Sequence, residues 1–281
     1  MNKKFGEISI DDTINSGQVF LWEKIKQNWY GIDGENIFVI DDKTKKFRKN
    51  QEEFNFFRQN DNFEEIFSQI KRDKIVKNAI KNFPGIRLLR QNPYQCYISF
   101  IVSANSNIPN IKTRLNNLCK KFGKKKIVDK REFFVFPEAN VISNASISDI
   151  LSCGVGYRAK AIKKASIAVT KNEIDFDILQ NMNYQMAKQE LLKVFGIGNK
   201  VADCILLFSL DKLEAFPLDR WMLRILQKYY SHKFEVTTKT ITDKTYDNMH
   251  EKIIEYFGKY AGYSQQFLFK MERELNNKKW L

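Results

Sequence analysis

The chain has 281 residues, 43% of them hydrophobic, which is enough for two or three packed units and too much for one small module. Lysine and arginine number 47 against 33 acids, a formal net charge of +14. That balance points to a polyanionic partner such as nucleic acid, although a solvated lysine-rich surface gives the same excess. Residues 1–12 hold no apolar core of signal-peptide length, and no run approaches the roughly 18 apolar residues of a membrane span, so the expectation is a soluble, intracellular chain with no membrane contact. Cys96, Cys119, Cys153 and Cys204 are scattered without a C-x-x-C pair, which argues against a zinc knuckle or an iron–sulfur cluster and for reduced thiols.

In chain order, residues 17–40 alternate apolar with polar side chains and are broken at Asp33-Gly34, a hairpin signal that predicts a small antiparallel sheet. Residues 63–83 change to helical period, with Phe63, Ile66, Phe67 and Ile70 on one face and Val76, Ala79 and Ile80 on another, until Pro84-Gly85 stop them. Beyond Asn92-Pro93 the pattern predicts helices over 97–102, 108–122, 147–152, 159–170, 184–194, 201–210, 220–229, 246–256 and 264–275. The basic stretch 120–131 reads as a loop, either solvated or touching phosphate. The expected fold class is therefore α+β: residues 1–91 as an N-terminal antiparallel-sheet α+β domain, then residues 92–281 as an all-helical region of two subdomains with a cleft between them.

The densest signal is residues 191–210, LLKVFGIGNKVADCILLFSL, where one helix ends in a Gly-x-Gly turn and the next begins at once. That is a helix-hairpin-helix. Gly196 and Gly198 would let the turn present backbone N–H groups at a helix N-terminus, a geometry that holds a DNA phosphate without reading sequence. A tight helical corner fits the same residues. Lys200 falls in the first turn of the second helix, where the positive end of the helix dipole works against an ammonium and favours a nucleophilic amine. Asp219, in FPLDRWMLRIL, stands before a helix with an apolar face at Met222, Ile225, Leu226 and Tyr229. It is placed as an N-cap, and its carboxylate could also stabilise a cationic sugar.

The hairpin, Lys200 and Asp219 together resemble the helix-hairpin-helix superfamily of DNA glycosylases, within it the 8-oxoguanine DNA glycosylase/lyase branch. The likeness runs through SGQVFLW at Ser16 to Trp22, GIRLLRQNPYQCYISFIVSANSNI at Gly85 to Ile108, GVGYRAK at Gly154 to Lys160, GIGNKVADC at Gly196 to Cys204 and FGKYAGYSQQFLF at Phe257 to Phe269. The resemblance implies base excision repair: excision of 8-oxoguanine from double-stranded DNA by a monomer working with the genomic DNA, with no metal or redox cofactor. It implies that Lys200 attacks the sugar C1′ and supports β-elimination through a Schiff base, and that Asp219 stabilises the developing positive charge. Base extrusion costs a few kcal/mol of unstacking and unpairing. The resemblance assigns Asn105 to fill the gap, Tyr157 to wedge beside the estranged base and Arg158 to hydrogen-bond it.

For the extruded base it points to Gly17, Cys204, Gln265 and Phe269. A carbonyl at Gly17 would accept from N7–H of 8-oxoguanine and repel the bare N7 of guanine. Phe269 would stack and Gln265 would bind the Watson–Crick edge. On pattern alone Phe269 and Cys204 also fit as ordinary core residues. Two positions depart from the better-known relatives: Asn110 stands where many carry an arginine that reads the opposite cytosine, and Trp221 stands where eukaryotic members carry a phosphate-contacting histidine, with Arg220 beside it as a substitute. Competing expectations are a monofunctional alkylpurine glycosylase, which would not need Lys200, and a non-catalytic hairpin clamp, which would not need the Gly17, Gln265 and Phe269 pocket.

Overall fold

The computed structural model describes residues 8–48, 55–236 and 242–276. Residues 1–7 and 49–54 of the expected first unit, and 237–241 and 277–281 of the second, lie outside the described residues.

Ser9 caps a short helix, α1 (Ile10–Ile14), ahead of an antiparallel sheet of β1 (Trp22–Ile25), β2 (Asn28–Asp33) and β3 (Asn36–Asp41), paired in that order. The turn at Gly34 is the expected one. A second turn splits the earlier run at Lys26, which takes a left-handed φ of 56° that nothing in a lysine advertises. Trp22 lies opposite Gly31, and a Cβ there would come within 2.0 Å of the indole. The missing side chain lets Trp22 stack towards Phe38 and Phe56, with ring centroids 6.1 and 5.3 Å away.

Helices α2 (Phe63–Ile70) and α3 (Lys74–Asn82) are capped by the side chains of Asn62 and Asp73. They bury the predicted apolar faces against the C-terminal helix. Then come α4 (Pro93–Ser103) and α5 (Ile108–Phe122).

Here the structure corrects the sequence reading. The basic stretch after α5 is not a loop but an antiparallel hairpin of β4 (Lys125–Val128) and β5 (Arg131–Phe134), so the second region is not all-helical. Phe133, Val135 and Val128 cover the outer face of the first sheet at Tyr30, Ile37 and Val39, and the rings of Tyr30 and Phe133 stack at 5.3 Å. Burial against a distant sheet, rather than local propensity, makes these residues strand. The turn is made by Asp129 and Lys130, both left-handed, without the glycine that would have announced it.

The chain continues through α6 (Ala139–Asn144), α7 (Ile147–Ile150), α8 (Ala159–Thr170), α9 (Phe176–Asn181), α10 (Tyr184–Leu192), α11 (Asn199–Ser209), α12 (Arg220–Tyr230), α13 (Asp243–Phe257) and α14 (Ala261–Leu275). Helix α11 is buried from Val201 to Ser209, and α4 from Gln95 to Ser103, so the two are central and pack on each other. The largest apolar cluster runs from Phe20 to Met271 through both regions. A residue carried by α11 therefore sits on a helix anchored in the core of the molecule.

Candidate active site

The hairpin turn follows from two glycines with different duties. Gly196 has φ 90°, and a Cβ there would lie 2.5 Å from that of Ala161 on α8, so it seats the turn on its neighbour. Gly198 caps α11 without a side-chain hydrogen bond and has nothing within 4 Å of an added Cβ. It leaves the first N–H groups of α11 open to an approaching anion. Exposed Phe195 lies beneath Lys160 and Lys164, their amines 5.5 and 4.7 Å from its ring, so cations flank the turn.

Lys200 is the second residue of α11, half-buried, with its amine 5.2 Å from the ring centre of Phe100. It forms no ion pair with any described residue. One turn further on, burial pushes the Cys204 thiol up to about 12, the Lys200 charge pulling against that shift and the Asp219 charge adding to it. Cys204 is thus a neutral, buried thiol that feels the charges of both Lys200 and Asp219.

Asp219 is the expected N-cap: its Oδ1 accepts from Met222 N at 2.8 Å. Its other oxygen has no hydrogen-bond partner among the described residues. The segment leading to it, Ala215 to Leu218, is buried. Two backbone N–H groups of that segment are held by side chains of α13: Phe216 N donates to His250 Nε2 at 3.3 Å, and Leu218 N to Tyr246 Oη at 3.0 Å. Burial also pushes the His250 pKa down, which suits a neutral, accepting ring.

The four expected base-pocket residues lie on three segments of the chain. Gln265 and Phe269 share a face of α14, Cys204 lies on α11, and Gly17 follows α1. Gly17 has φ 85°, and a Cβ there would be 3.1 Å from Phe269 Cε1. Its neighbours are pinned, Ser16 O accepting from Gln266 Nε2 at 2.9 Å and Gln18 O from Gln91 Nε2 at 2.8 Å. The Gly17 carbonyl itself accepts nothing from the described residues. Gln265 is buried, and its Oε1 has no hydrogen-bond partner among the described residues. Half-buried Phe269 meets the edge of Trp221, the centroids 6.4 Å apart. Two surface cavities of about 410 Å³ lie elsewhere, one at Asp175 to Met182 and one at Lys71 to Lys81, and hold none of these side chains.

Asn105 and Tyr157 are brought together at the surface. Asn105 is exposed and left-handed (φ 49°), its Nδ2 is 3.5 Å from Tyr157 Oη, and Tyr157 is 69% exposed, an unusual cost for an aromatic ring. Arg158, expected to donate to the estranged base, bonds backbone carbonyls of the protein here. It is buried, with Nε bonded to Ala104 O at 2.9 Å, Nη2 to the same oxygen and to Asn105 O, and Nη1 to Val155 O. In this form its guanidinium fixes the turn that displays Asn105. Arg114, which pattern reasoning passed over, braces the same turn through Ser106 Oγ at 2.6 Å and Gly154 O at 3.1 Å. Arg220 is exposed at the start of α12, and Asn110 is exposed in the first turn of α5. Among the described residues no group of three or more His, Cys, Asp or Glu side chains is arranged to hold a metal ion.

An open Gly-x-Gly turn between two helices, with a half-buried lysine in the first turn of the second, defines a helix-hairpin-helix protein. Residues 1–97 match the family model for the N-terminal domain of 8-oxoguanine DNA glycosylase, and residues 98–257 match that of the HhH-GPD superfamily of base excision DNA repair proteins. A probable N-glycosylase/DNA lyase of Methanothermobacter thermautotrophicus is 31% identical over 229 residues, covering 74% of this chain and 70% of its own. The N-glycosylase/DNA lyase of Saccharomyces cerevisiae is 27% identical over a 327-residue alignment, covering 97% and 87%. The 8-oxoguanine glycosylase/lyase of Clostridium acetobutylicum, solved with double-stranded DNA containing cytosine opposite 8-oxoG, superposes with a TM-score of 0.85 at 31% identity, covering 96% of this chain and 93% of that one. The chain belongs to the HhH-GPD superfamily of base excision DNA repair proteins, and it carries the N-terminal domain of the 8-oxoguanine DNA glycosylases.

Proposed function

We propose that this chain is a bifunctional 8-oxoguanine DNA glycosylase and lyase acting on double-stranded genomic DNA, with Lys200 as nucleophile and Asp219 as its electrostatic partner. The observation that carries the reading is the amine of Lys200, half-buried in the first turn of α11 above Phe100, with its charge and that of Asp219 both acting on the buried Cys204 thiol. The lesion nucleotide leaves the duplex, Asn105 and Tyr157 occupy the space it vacates, and the first N–H groups of α11 together with Arg220 hold the backbone. The base enters between Cys204 and Phe269, gives its N7–H to the Gly17 carbonyl, and meets Gln265 along its Watson–Crick edge.

The Lys200 lone pair then forms a bond to C1′ as the C1′–N9 bond breaks, and the electron pair leaves with the base, which takes up a proton. Asp219 lowers the energy of the positive charge that builds on the sugar. The amine loses its protons as the sugar ring opens to an imine. Removal of a C2′ proton expels the 3′ phosphate, which nicks the strand. Arg158 acts here by positioning the Asn105 turn.

The test is a duplex containing 8-oxoguanine incubated with the protein and sodium borohydride, which reduces an imine to a stable amine. A covalent protein–DNA adduct is expected, and it is lost in Lys200→Gln. Base release without any adduct, or an adduct that survives Lys200→Gln, overturns the assignment.

A further inference from the structure

Three buried polar atoms on α14 lack hydrogen-bond partners among the described residues, Ser264 Oγ, Gln265 Oε1 and Arg273 Nη1, and the last two share one face of the helix. Residues 265, 269 and 273 are spaced by four and form one stripe along the helix, with Phe269 between those two unpartnered groups. The base pocket explains Gln265 and leaves Arg273 over.

Arg273 reaches the pocket from the other side of Phe269. Its guanidinium lies 5.8 Å from the Phe269 ring centre, and a Cβ on Gly17 would be 3.3 Å from Nη1 and 3.7 Å from Ile108 Cδ1. One turn beyond Ile108 on α5, half-buried Lys112 stands close enough for the two charges to repel. Burial holds both cations below their ordinary pKa, and the charges of Glu274 and Glu23 act on Arg273 and Lys112 from a distance, with no ion pair to either cation among the described residues. A desolvated guanidinium with a second cation nearby and no carboxylate bonded to it is costly. An acceptor supplied from outside relieves that cost.

The acceptor follows from the edge of the base that faces Gly17. In 8-oxoguanine the N7–H lies between two carbonyl oxygens, O6 and O8, so one donor flanked by two acceptors meets this wall. The Gly17 carbonyl satisfies the donor and nothing on Gly17 serves the acceptors. We propose that Arg273 is a further specificity-determining residue, donating from Nη1 to a carbonyl oxygen that flanks the N7–H of the extruded base. Lys112 adds positive potential behind it. This inference rests on the Gly17–Phe269 slot being the base pocket.

The test measures equilibrium binding in the Lys200→Gln background, where no chemistry follows, on duplexes carrying 8-oxoguanine, guanine or 8-oxoadenine, which keeps O8 but has an amine at position 6. Arg273→Leu is expected to weaken 8-oxoguanine binding about tenfold, the scale of one charge-assisted hydrogen bond, while undamaged DNA changes far less. Arg273→Lys keeps the charge; it restores undamaged binding fully and lesion binding in part, which separates donor loss from a folding defect. A parallel loss on 8-oxoadenine assigns O8 as the acceptor, and no loss there assigns O6. Equal weakening on lesion and undamaged duplexes, with a shallower salt dependence, assigns Arg273 to a backbone phosphate and overturns the proposal. Unchanged lesion binding in Arg273→Leu overturns it as well. If Lys200→Gln alone does not prefer 8-oxoguanine over guanine, it is the pocket reading that fails.

Discussion

Asp203 on α11 accepts a 2.5 Å hydrogen bond from the hydroxyl of Tyr246 on α13. That hydroxyl also accepts from Leu218 N, immediately before Asp219, while Asp203 lies three residues after Lys200. A buried two-bond link thus joins the backbone beneath the nucleophile to the backbone that delivers the carboxylate. Tyr184 donates a second hydrogen bond to Asp203 at 2.6 Å, and Lys188 stands 3.4 Å from it, so the buried charge is well compensated. Removing the Tyr246 hydroxyl leaves Leu218 N–H without a partner and Asp203 one donor short. Tyr246→Phe is expected to cost about 2 kcal/mol of stability. At saturating enzyme it should also lower the single-turnover excision rate, with undamaged-DNA affinity intact. A destabilised variant that excises at the wild-type rate would show that the link serves folding alone.

Asp219 does two jobs, and substitutions separate them. Asparagine caps a helix as well as aspartate does, so Asp219→Asn should keep the bond to Met222 N and unfold within about 0.5 kcal/mol of wild type. It loses the charge, and excision should slow by about 100-fold or more, as when one preorganised electrostatic group is removed. Asp219→Ala should lose both functions and about 1 kcal/mol of stability besides. Denaturant melts beside single-turnover rates check this, and wild-type excision by Asp219→Asn refutes the catalytic role.

The central helices were legible because their signals are local. The Gly-x-Gly turn, the capping Asp219 and the helical periods of α5, α8 and α12 each follow from residues within one or two turns. The hairpin β4–β5 was not, since its reason to be strand lies some 90 residues away on the first sheet. Short helices α1, α6 and α9 carry too few residues to display a period. In the site, the hairpin context pointed to Lys200 and the family resemblance to Gly17 and Phe269, but the engagement of Arg158 with carbonyls of residues 104, 105 and 155 depends on how two loops meet. Arg273 had a readable signal, four residues past Phe269 on the same face, but arginine at a helix end reads as a solvated cation until its burial is seen.

The two hairpin glycines should fail in different ways. Gly196→Ala forces a left-handed alanine and a collision with Ala161, and is expected to destabilise the fold by about 2 kcal/mol or more. Gly198→Ala meets nothing in the protein and loses only the better N-cap, so its stability should fall by about 1 kcal/mol or less. The new methyl instead stands beside the N–H groups that face phosphate, and binding to undamaged duplex should weaken severalfold. Thermal melts and titrations with undamaged DNA separate the two. A Gly198→Ala protein that binds normally would remove the open turn from the DNA interface.

Asp33 ends β2, and its Oδ1 accepts from Asn92 N, the cap residue of α4, at 2.7 Å. Burial raises its pKa to about 7, outweighing that hydrogen bond. The unfolded chain loses this proton near pH 4 and the folded protein only near pH 7, so the native state binds more protons across that window. Stability from this group is therefore full below about pH 4, falls as pH rises to about 7, and is flat above. Asp33→Asn keeps the acceptor and cannot ionise. It should match wild type near pH 4 and exceed it by about 2 kcal/mol at pH 8, the linkage maximum being trimmed by partial solvent access. Urea melts of both proteins at several pH values give the difference directly, and a variant less stable than wild type at pH 8 would mean that the carboxylate is held by charge rather than strained by burial.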